Sequence, residues 1–164
     1  MVKKNTILFI IVDIYMTNKI DKIIDNLYIG NYDAALDKSI IDRYNIQAIV
    51  NCTKNTNRIN SDIDYLQVPI DDPPYDKDIN YVNSNFIYIT NFIYDKIKSG
   101  KNVLVHCVMG VQRSATIVAI YLMRGFNQNY TNTIKYIKTK RPICFFGKVN
   151  YLNSLIYVQN KMIK

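Results

Sequence analysis

The sequence predicts an α/β fold, in which a central, mostly parallel sheet is flanked by helices. Short apolar segments rich in β-branched residues alternate with longer segments of helical periodicity along the 164 residues. Hydrophobic residues make up 49% of the chain, which is enough to bury one core, and no Gly-, Ser- or Pro-rich linker and no internal repeat divides it. We therefore expect one folded domain.

The predicted elements follow one another in the order typical of this class. Strands are predicted near residues 27–30, 47–52, 64–69 and 102–106. Helices are predicted near residues 34–43, 79–98, 114–125, 130–140 and 148–160. Because strands alternate with helices, the strands should be mostly parallel, and a ligand site is expected at their carboxyl ends.

The last predicted strand and the helix after it are the best-defined pair. Asn102 to Val105 is short, apolar and β-branched, which indicates a buried strand. Ala115 to Met123 is apolar and contains no glycine, which favours a helix. Residues 106–116 read HCVMGVQRSAT, with a cysteine and an arginine six positions apart around a glycine. This segment therefore runs from strand to loop to helix.

The cysteine loop, residues 107–113, predicts an oxyanion-binding site. A tight turn directs backbone N–H groups inward, and the N-terminus of the following helix adds positive charge at the same point. Free cysteine titrates at about pH 8.5, but at a helix N-terminus beside an arginine its pKa falls to roughly 3.5–7.5, so Cys107 should be a thiolate nucleophile. Arg113 can hold two phosphoryl oxygens at once, and the Ser114 hydroxyl can donate to the sulfur.

These residues resemble the motif of the cysteine-dependent protein phosphatases, H-C-x5-R-[ST]. The form GVQRSAT is most similar to the small dual-specificity phosphatases, and segments along roughly residues 22–158 match that family. The resemblance implies the single-domain cysteine phosphatase fold, with a central mostly parallel sheet flanked by helices. It also implies an enzyme that needs neither a metal nor a cofactor.

The resemblance further implies that the cysteine loop is the family's phosphate-binding loop (P-loop) and that six of its residues contact the substrate. These are Val108, Met109, Gly110, Val111, Gln112 and Arg113. Two of them depart from the common family pattern: Met109 stands where a small residue is usual, and Gln112 stands where serine or asparagine is common. Both are expected to line the rim of the site and to affect substrate preference.

A general acid on a separate loop is also implied by the resemblance. Residues 68–72, VPIDD, match that loop, and the family's acid usually lies three residues after the proline. This spacing favours Asp72 and leaves Asp71 as the alternative. Asp76 and Asp78 lie further along the chain and are expected to cap the next helix.

The expected activity is that of a protein phosphatase acting on phosphotyrosine and phosphoserine/threonine. Cys107 would attack phosphorus while Asp72 protonates the leaving oxygen, and water would then hydrolyse the phosphocysteine. His106, the only histidine, is expected to point away from the sulfur and to hydrogen-bond the loop backbone, with a packed core histidine as the alternative. The alternative functions are an RNA 5′-triphosphatase with the same loop and a catalytically silent phosphate-binding module.

The three cysteines indicate a reducing compartment. They have no C-x-x-C spacing, and with one histidine they cannot form an ordinary zinc site. We therefore expect a cytoplasmic protein. Cys52 ends a strand expected to run parallel to that of Cys107, and it is interpreted as a buried structural cysteine, with a reversible disulfide as the alternative.

Composition adds an expectation about the source. The chain is rich in Asn, Ile, Lys and Tyr, which is typical of translation from an AT-rich genome. Together with the motif, this makes the chain similar to the small poxvirus-type dual-specificity phosphatases. For a viral enzyme, the expected location is the host cytoplasm or the virion.

Charge is distributed unevenly along the chain, whose net charge is +8. From Lys96 onward there are twelve Lys and Arg residues and no acidic residue, whereas all thirteen aspartates lie in the first 95 residues. This asymmetry favours anionic partners, namely phosphoproteins with acidic flanks, or RNA.

Residues 1–21 are interpreted as an N-terminal extension, and residues 22–164 as the catalytic domain. Ile7 to Met16 is apolar but too short to span a bilayer, so no membrane association is expected. This segment is expected to pack on the domain or to provide a surface for a homodimer.

Overall fold

The computed structural model describes residues 18–163, which form a five-stranded sheet flanked by helices. The strands are β1 (Ile20–Ile24), β2 (Leu27–Gly30), β3 (Ile46–Asn51), β4 (Asp64–Gln67) and β5 (Asn102–His106). The helices are α1 (Tyr32–Leu36), α2 (Lys38–Arg43), α3 (Asp76–Lys98), α4 (Arg113–Phe126), α5 (Tyr130–Lys140) and α6 (Leu152–Met162). The predicted α/β class is confirmed.

The order of the strands places β5 at the centre of the sheet. The order is β1-β2-β5-β3-β4, with β1 antiparallel to β2 and the other pairs parallel. In register, His106 at the end of β5 lies between Gly30 at the end of β2 and Asn51 at the end of β3. The cysteine loop therefore starts at the carboxyl edge of the central strand, where open α/β sheets bind their ligands.

Alternating side chains of the strands pack in two different hydrophobic clusters. Val103 and Val105 lie in the larger cluster, together with residues of α3, α4, α5 and α6. Leu104 lies in the smaller cluster with residues of α1 and α2. This alternation follows from the two-residue period of a strand. Helix α4 is buried from Ser114 to Met123, so the helix that begins at the cysteine loop is held on all sides.

Two features at the beginning of the domain differ from the prediction. The strand β1 was not predicted, and it crosses the predicted boundary between residues 21 and 22. The helix predicted near residues 34–43 is divided into α1 and α2 at Asp37. The Asp37 carboxylate accepts from the backbone N–H groups of Ser39 at 3.0 Å and Ile40 at 3.4 Å, so it caps a new helix instead of continuing the first.

The starts of two later helices also differ. Helix α3 begins at Asp76, and Asp78 accepts from the backbone N–H of Tyr75 at 2.8 Å, which confirms the capping role predicted for Asp78. Asp76 lies in the first turn, where a negative charge is favourable. Helix α6 begins at Leu152 and not near residue 148, because the preceding segment is tied to the cysteine loop.

The apolar segment Ile7 to Met16 lies outside the described residues, so its packing or dimerisation stays a prediction. Within residues 18–163, none of the helices combines the length and apolar character needed to cross a membrane. In the same part of the chain, no group of three or more His, Cys or Asp side chains is arranged to hold a metal ion.

Candidate active site

The cysteine loop closes around the sulfur of Cys107. The backbone N–H of Gly110 donates to Cys107 Sγ at 3.2 Å, and Ser114 Oγ lies 3.3 Å from the same sulfur. Gly110 has a φ of 68°, and a Cβ at this position would lie 2.6 Å from the carbonyl oxygen of Gly30. Glycine is therefore required at this turn, both for its conformation and for the close approach to β2.

The surroundings of Cys107 favour its thiolate form. Burial by itself raises the pKa of this thiol, but the hydrogen bond from Ser114, the backbone N–H groups of Ser114 and Val111, and the positive charge of Arg113 together bring it below its ordinary value. Burial raises the pKa of Cys144 to about 12 and that of Cys52 well above its usual range. Cys107 is the one cysteine of the three that is prepared to act as a nucleophile.

The Arg113 side chain connects the cysteine loop to a second loop and retains an unused donor. Its Nη1 donates to the carbonyl oxygen of Ile70 at 3.2 Å. Its Nε is buried and has no hydrogen-bond partner among the residues that the structure describes. A buried donor is normally paired, so this N–H fits an oxyanion bound in the cysteine loop.

His106 lies behind the loop. Its Nδ1 is 3.4 Å from the carbonyl oxygen of Cys107, and its ring centroid is 6.2 Å from that of Tyr32. Burial, aided by the charge of Arg113, lowers the pKa of His106 to about 4, so the imidazole is neutral near pH 7. A neutral ring can donate to the loop backbone without adding a positive charge.

The aspartate loop, residues 68–75, is held at three successive residues. Arg113 binds the Ile70 carbonyl, as described above. The hydroxyl of Tyr151 donates to the carbonyl oxygen of Asp71 at 2.5 Å, and burial raises the pKa of Tyr151, so this hydroxyl keeps its proton. The side-chain Nδ2 of Asn150 donates to Asp72 Oδ1 at 2.5 Å.

The two candidate acids differ in their partners. The Asp71 carboxylate forms a 2.5 Å ion pair with Lys54, and this hydrogen bond lowers the pKa of Asp71. An ion-paired carboxylate is a poor proton donor. Asp72 is exposed, and its carboxyl group accepts from the neutral amide of Asn150. Among the described residues, the Asp71 carboxylate is thus ion-paired, whereas the Asp72 carboxyl group forms no salt bridge.

The remaining residues of the cysteine loop divide into a rim and a support. Val108 and Met109 are 49% and 46% exposed, at the rim. The expectation that Gln112 lines the rim is wrong for its side chain, which is only 6% exposed. The reason is that its amide binds the backbone of residues 146–150 instead of solvent. The Val111 carbonyl accepts from the backbone N–H of Phe145 at 2.9 Å.

Arg141 supports the loop from its other side, and sequence reasoning gave it no role. Its guanidinium is buried and donates to the carbonyl oxygens of Gly110 at 2.9 Å and Met109 at 3.4 Å. Its Nη1 donates to Asp21 Oδ2 at 2.5 Å and to the carbonyl oxygen of Asn18 at 3.0 Å. The one available signal was its place in the Lys-Arg-Pro-Ile segment that resembles the family.

Asn150 and Tyr151 were also missed. They lie about 80 positions after the aspartate loop, and no local pattern marks them. Only the packing of the segment before α6 against the two loops reveals their contacts.

Comparison with known proteins agrees with this arrangement. The model of the family described as "Dual specificity phosphatase, catalytic domain" matches residues 27–161. The putative tyrosine phosphatase 123R of Invertebrate iridescent virus 6 is 34% identical over 124 residues, which cover 76% of this chain and 81% of the viral protein. Dual specificity protein phosphatase 15 of Mus musculus is 31% identical over 128 residues, which cover 78% of this chain and 53% of the mouse protein.

The fold agrees as well. The crystal structure of DUSP15 superimposes with a TM-score of 0.75 and 26% identity, covering 89% of this chain and 96% of that chain. The present chain spans about half the length of the mouse relative, so the match concerns the catalytic domain. From the family model, these relatives and the shared fold, the chain belongs to the dual-specificity protein phosphatases.

Proposed function

We propose that the protein dephosphorylates phosphotyrosine and phosphoserine or phosphothreonine in phosphorylated proteins through a phosphocysteine intermediate. The observation that carries this proposal is the environment of Cys107 Sγ. The sulfur is buried, yet it is bound by the Gly110 N–H and the Ser114 hydroxyl, and its pKa is lowered. These features suit a thiolate that attacks phosphorus.

In the first step, the Cys107 thiolate attacks phosphorus in line with the leaving oxygen. The S–P bond forms as the P–O bond breaks, and Asp72 gives its proton to the departing alkoxide or phenoxide. The Arg113 guanidinium and the N–H groups of the cysteine loop bind the non-bridging oxygens. Such fixed donors stabilise the charge that shifts in the transition state.

In the second step, the Asp72 carboxylate takes a proton from water, whose oxygen attacks phosphorus. The S–P bond breaks and the sulfur leaves as a thiolate, to which Ser114 donates a hydrogen bond. Inorganic phosphate is released, and Asp72 is again protonated for the next cycle.

The two alternative functions are less well supported. The family and its relatives are protein phosphatases by their names, which does not favour an RNA 5′-triphosphatase. A silent phosphate-binding module normally lacks the nucleophile, the arginine or the acid. Here Cys107, Arg113 and Asp72 are all present.

One experiment separates the three functions. A single preparation is assayed on a phosphotyrosine peptide, a phosphothreonine peptide and RNA with a 5′-triphosphate, with Cys107→Ser as the blank. We expect phosphate release from both peptides that is lost in the variant. Turnover of the RNA alone, or tight binding of the peptides without turnover, would contradict the proposal.

Location and assembly are proposed from the sequence. We place the protein in a reducing compartment, the host cytoplasm or the virion if it is viral, and the iridescent-virus relative supports a viral source. A homodimer built on the apolar N-terminal segment is a further proposal. It requires that light scattering give the mass of a dimer for the full chain and the mass of a monomer once residues 1–15 are removed.

A further inference from the structure

Gln112, where the chain departs from the common family pattern, binds the segment before α6 through three hydrogen bonds. Its Nε2 donates to the carbonyl oxygens of Phe146 at 3.1 Å and Lys148 at 2.8 Å. Its Oε1 accepts from the backbone N–H of Asn150 at 3.2 Å. All three of these hydrogen bonds go to one irregular segment, residues 146–150, which is thereby fixed to the cysteine loop.

The Asn150 side chain then extends from this segment to Asp72. Its Nδ2 donates to Oδ1 of the Asp72 carboxyl group at 2.5 Å. The residue before Arg113 in the cysteine loop is thus connected, through one backbone N–H and one side-chain amide, to the candidate acid on a different loop.

We propose that Gln112 and Asn150 are positioning residues that orient the Asp72 carboxyl group for proton transfer. This inference rests on the proposed function, in which Asp72 is the general acid. It assigns a role to two residues that do not themselves react.

The chemical reason lies in the two oxygens of the carboxyl group. An amide N–H can donate to a carboxyl oxygen but does not exchange protons with it near pH 7. Because Asn150 occupies Oδ1, the transferable proton is left on Oδ2. An exposed carboxyl group without such a partner samples several rotamers. If one rotamer is fixed beforehand, the side chain loses less conformational entropy on reaching the transition state.

Orientation of the carboxyl group is separate from placement of its loop. Tyr151 and Arg113 hold the backbone of the aspartate loop at Asp71 and Ile70. Among the residues that the structure describes, Asn150 is the hydrogen-bond partner of the Asp72 side chain. Truncating Asn150 should therefore leave the loop in place and free only the carboxyl group.

The test compares Asn150→Ala and Gln112→Asn with the wild type on substrates of different leaving groups. Asn153→Ala is the matched control, since Asn153 is an exposed asparagine in the first turn of α6. We expect kcat/KM to fall roughly tenfold or more for a poor leaving group, such as an alkyl phosphate, and to change little for an acidic phenol. The control should match the wild type on both.

A double-variant comparison distinguishes positioning from a general structural role. In the Asp72→Asn background, Asn150→Ala should cause no further loss, because the group that it positions no longer transfers a proton. An equal fall on both leaving groups, or losses that add fully in the double variant, would overturn the inference. Urea unfolding of each variant identifies a loss of activity that is caused by misfolding. If Gln112→Asn does not fold, the inference is tested with Asn150→Ala alone.

The two levels of the proposal fail differently. If Asp72→Asn leaves the dependence on the leaving group unchanged, the assignment of the acid fails and the positioning role fails with it. If Asp72→Asn impairs poor leaving groups while Asn150→Ala behaves as the wild type, only the positioning role fails.

Discussion

Arg113 donates from Nη1 to the carbonyl oxygen of Ile70 at 3.2 Å, so one side chain joins the cysteine loop to the aspartate loop. The same guanidinium supplies positive charge that acts against the effect of burial on the pKa of Cys107. Stabilisation of the Cys107 thiolate and placement of the loop that carries Asp72 are therefore coupled. A lysine could supply the charge but could not reproduce the forked geometry.

The thiolate character of Cys107 can be measured by alkylation. Burial raises the pKa of Cys107, but the hydrogen bonds and Arg113 lower it by more than burial raises it. Cys107 should therefore react with iodoacetate at a lower pH than an ordinary thiol of pKa about 8.5. Cys107→Ser should lose this reaction and all turnover while retaining affinity for inorganic phosphate. Alkylation only at alkaline pH, or hydrolysis by Cys107→Ser, would contradict the covalent mechanism.

The identity of the acid is tested by two neighbouring substitutions. Asp72→Asn should lower kcat/KM by roughly 10²-fold or more for poor leaving groups, because protonation of the departing oxygen is lost. Asp71→Asn removes a carboxylate that is paired with Lys54 and should have a much smaller effect. An acidic phenol as leaving group serves as the control. A larger loss of kcat/KM in Asp71→Asn than in Asp72→Asn would identify Asp71 as the acid.

Ser114 is expected to act mainly in the second step. Its hydroxyl lies 3.3 Å from Cys107 Sγ, and a hydrogen bond there makes the sulfur a better leaving group. Ser114→Ala should therefore slow hydrolysis of the phosphocysteine more than its formation. Rapid mixing should show a burst of released phenol followed by a slow steady state. The absence of a burst, with both steps slowed equally, would argue against this role.

His106 should make the protein sensitive to mild acid. Burial lowers its pKa to about 4, compared with about 6.5 in an unfolded chain. Between these values the unfolded chain binds a proton that the folded protein does not, so the free energy of unfolding falls as the pH drops through this window. From about pH 7.5 to about pH 5, this residue should cost about 2 kcal/mol of stability.

Urea unfolding of the wild type and His106→Asn at these two pH values measures the effect. The variant should lose less stability than the wild type, because asparagine does not titrate, while the aspartates contribute equally to both. Equal losses in the two proteins would show that His106 does not titrate in this window.

The cysteine loop could be predicted because its chemistry is local. Cys107, Gly110, Arg113 and Ser114 lie within eleven consecutive residues, and the strand before them and the helix after them have clear periodicities. The alternation of strands and helices likewise predicts the parallel sheet. These features depend on near neighbours in the chain, which a single sequence displays directly.

The supporting residues could not be predicted, because their roles arise from contacts between distant segments. Asn150 binds a carboxyl group 78 positions away, and Arg141 reaches Asp21 at a separation of 120. Strand β1 is five residues long and carries two charges, so its pattern does not stand out before its pairing with β2 is known. The division between α1 and α2 depends on which backbone groups Asp37 binds.

The contacts of Arg141 define the shortest chain that can retain the site. Its buried guanidinium supports the Gly110 carbonyl only while Asp21 and the Asn18 carbonyl accept its other N–H groups. A truncated protein that begins at residue 22 would leave this cation buried without its counter-ion, a defect that commonly costs about 3–5 kcal/mol. Deletion studies of the N-terminus should therefore stop before Asn18, because Asn18 and Asp21 support the cysteine loop through Arg141.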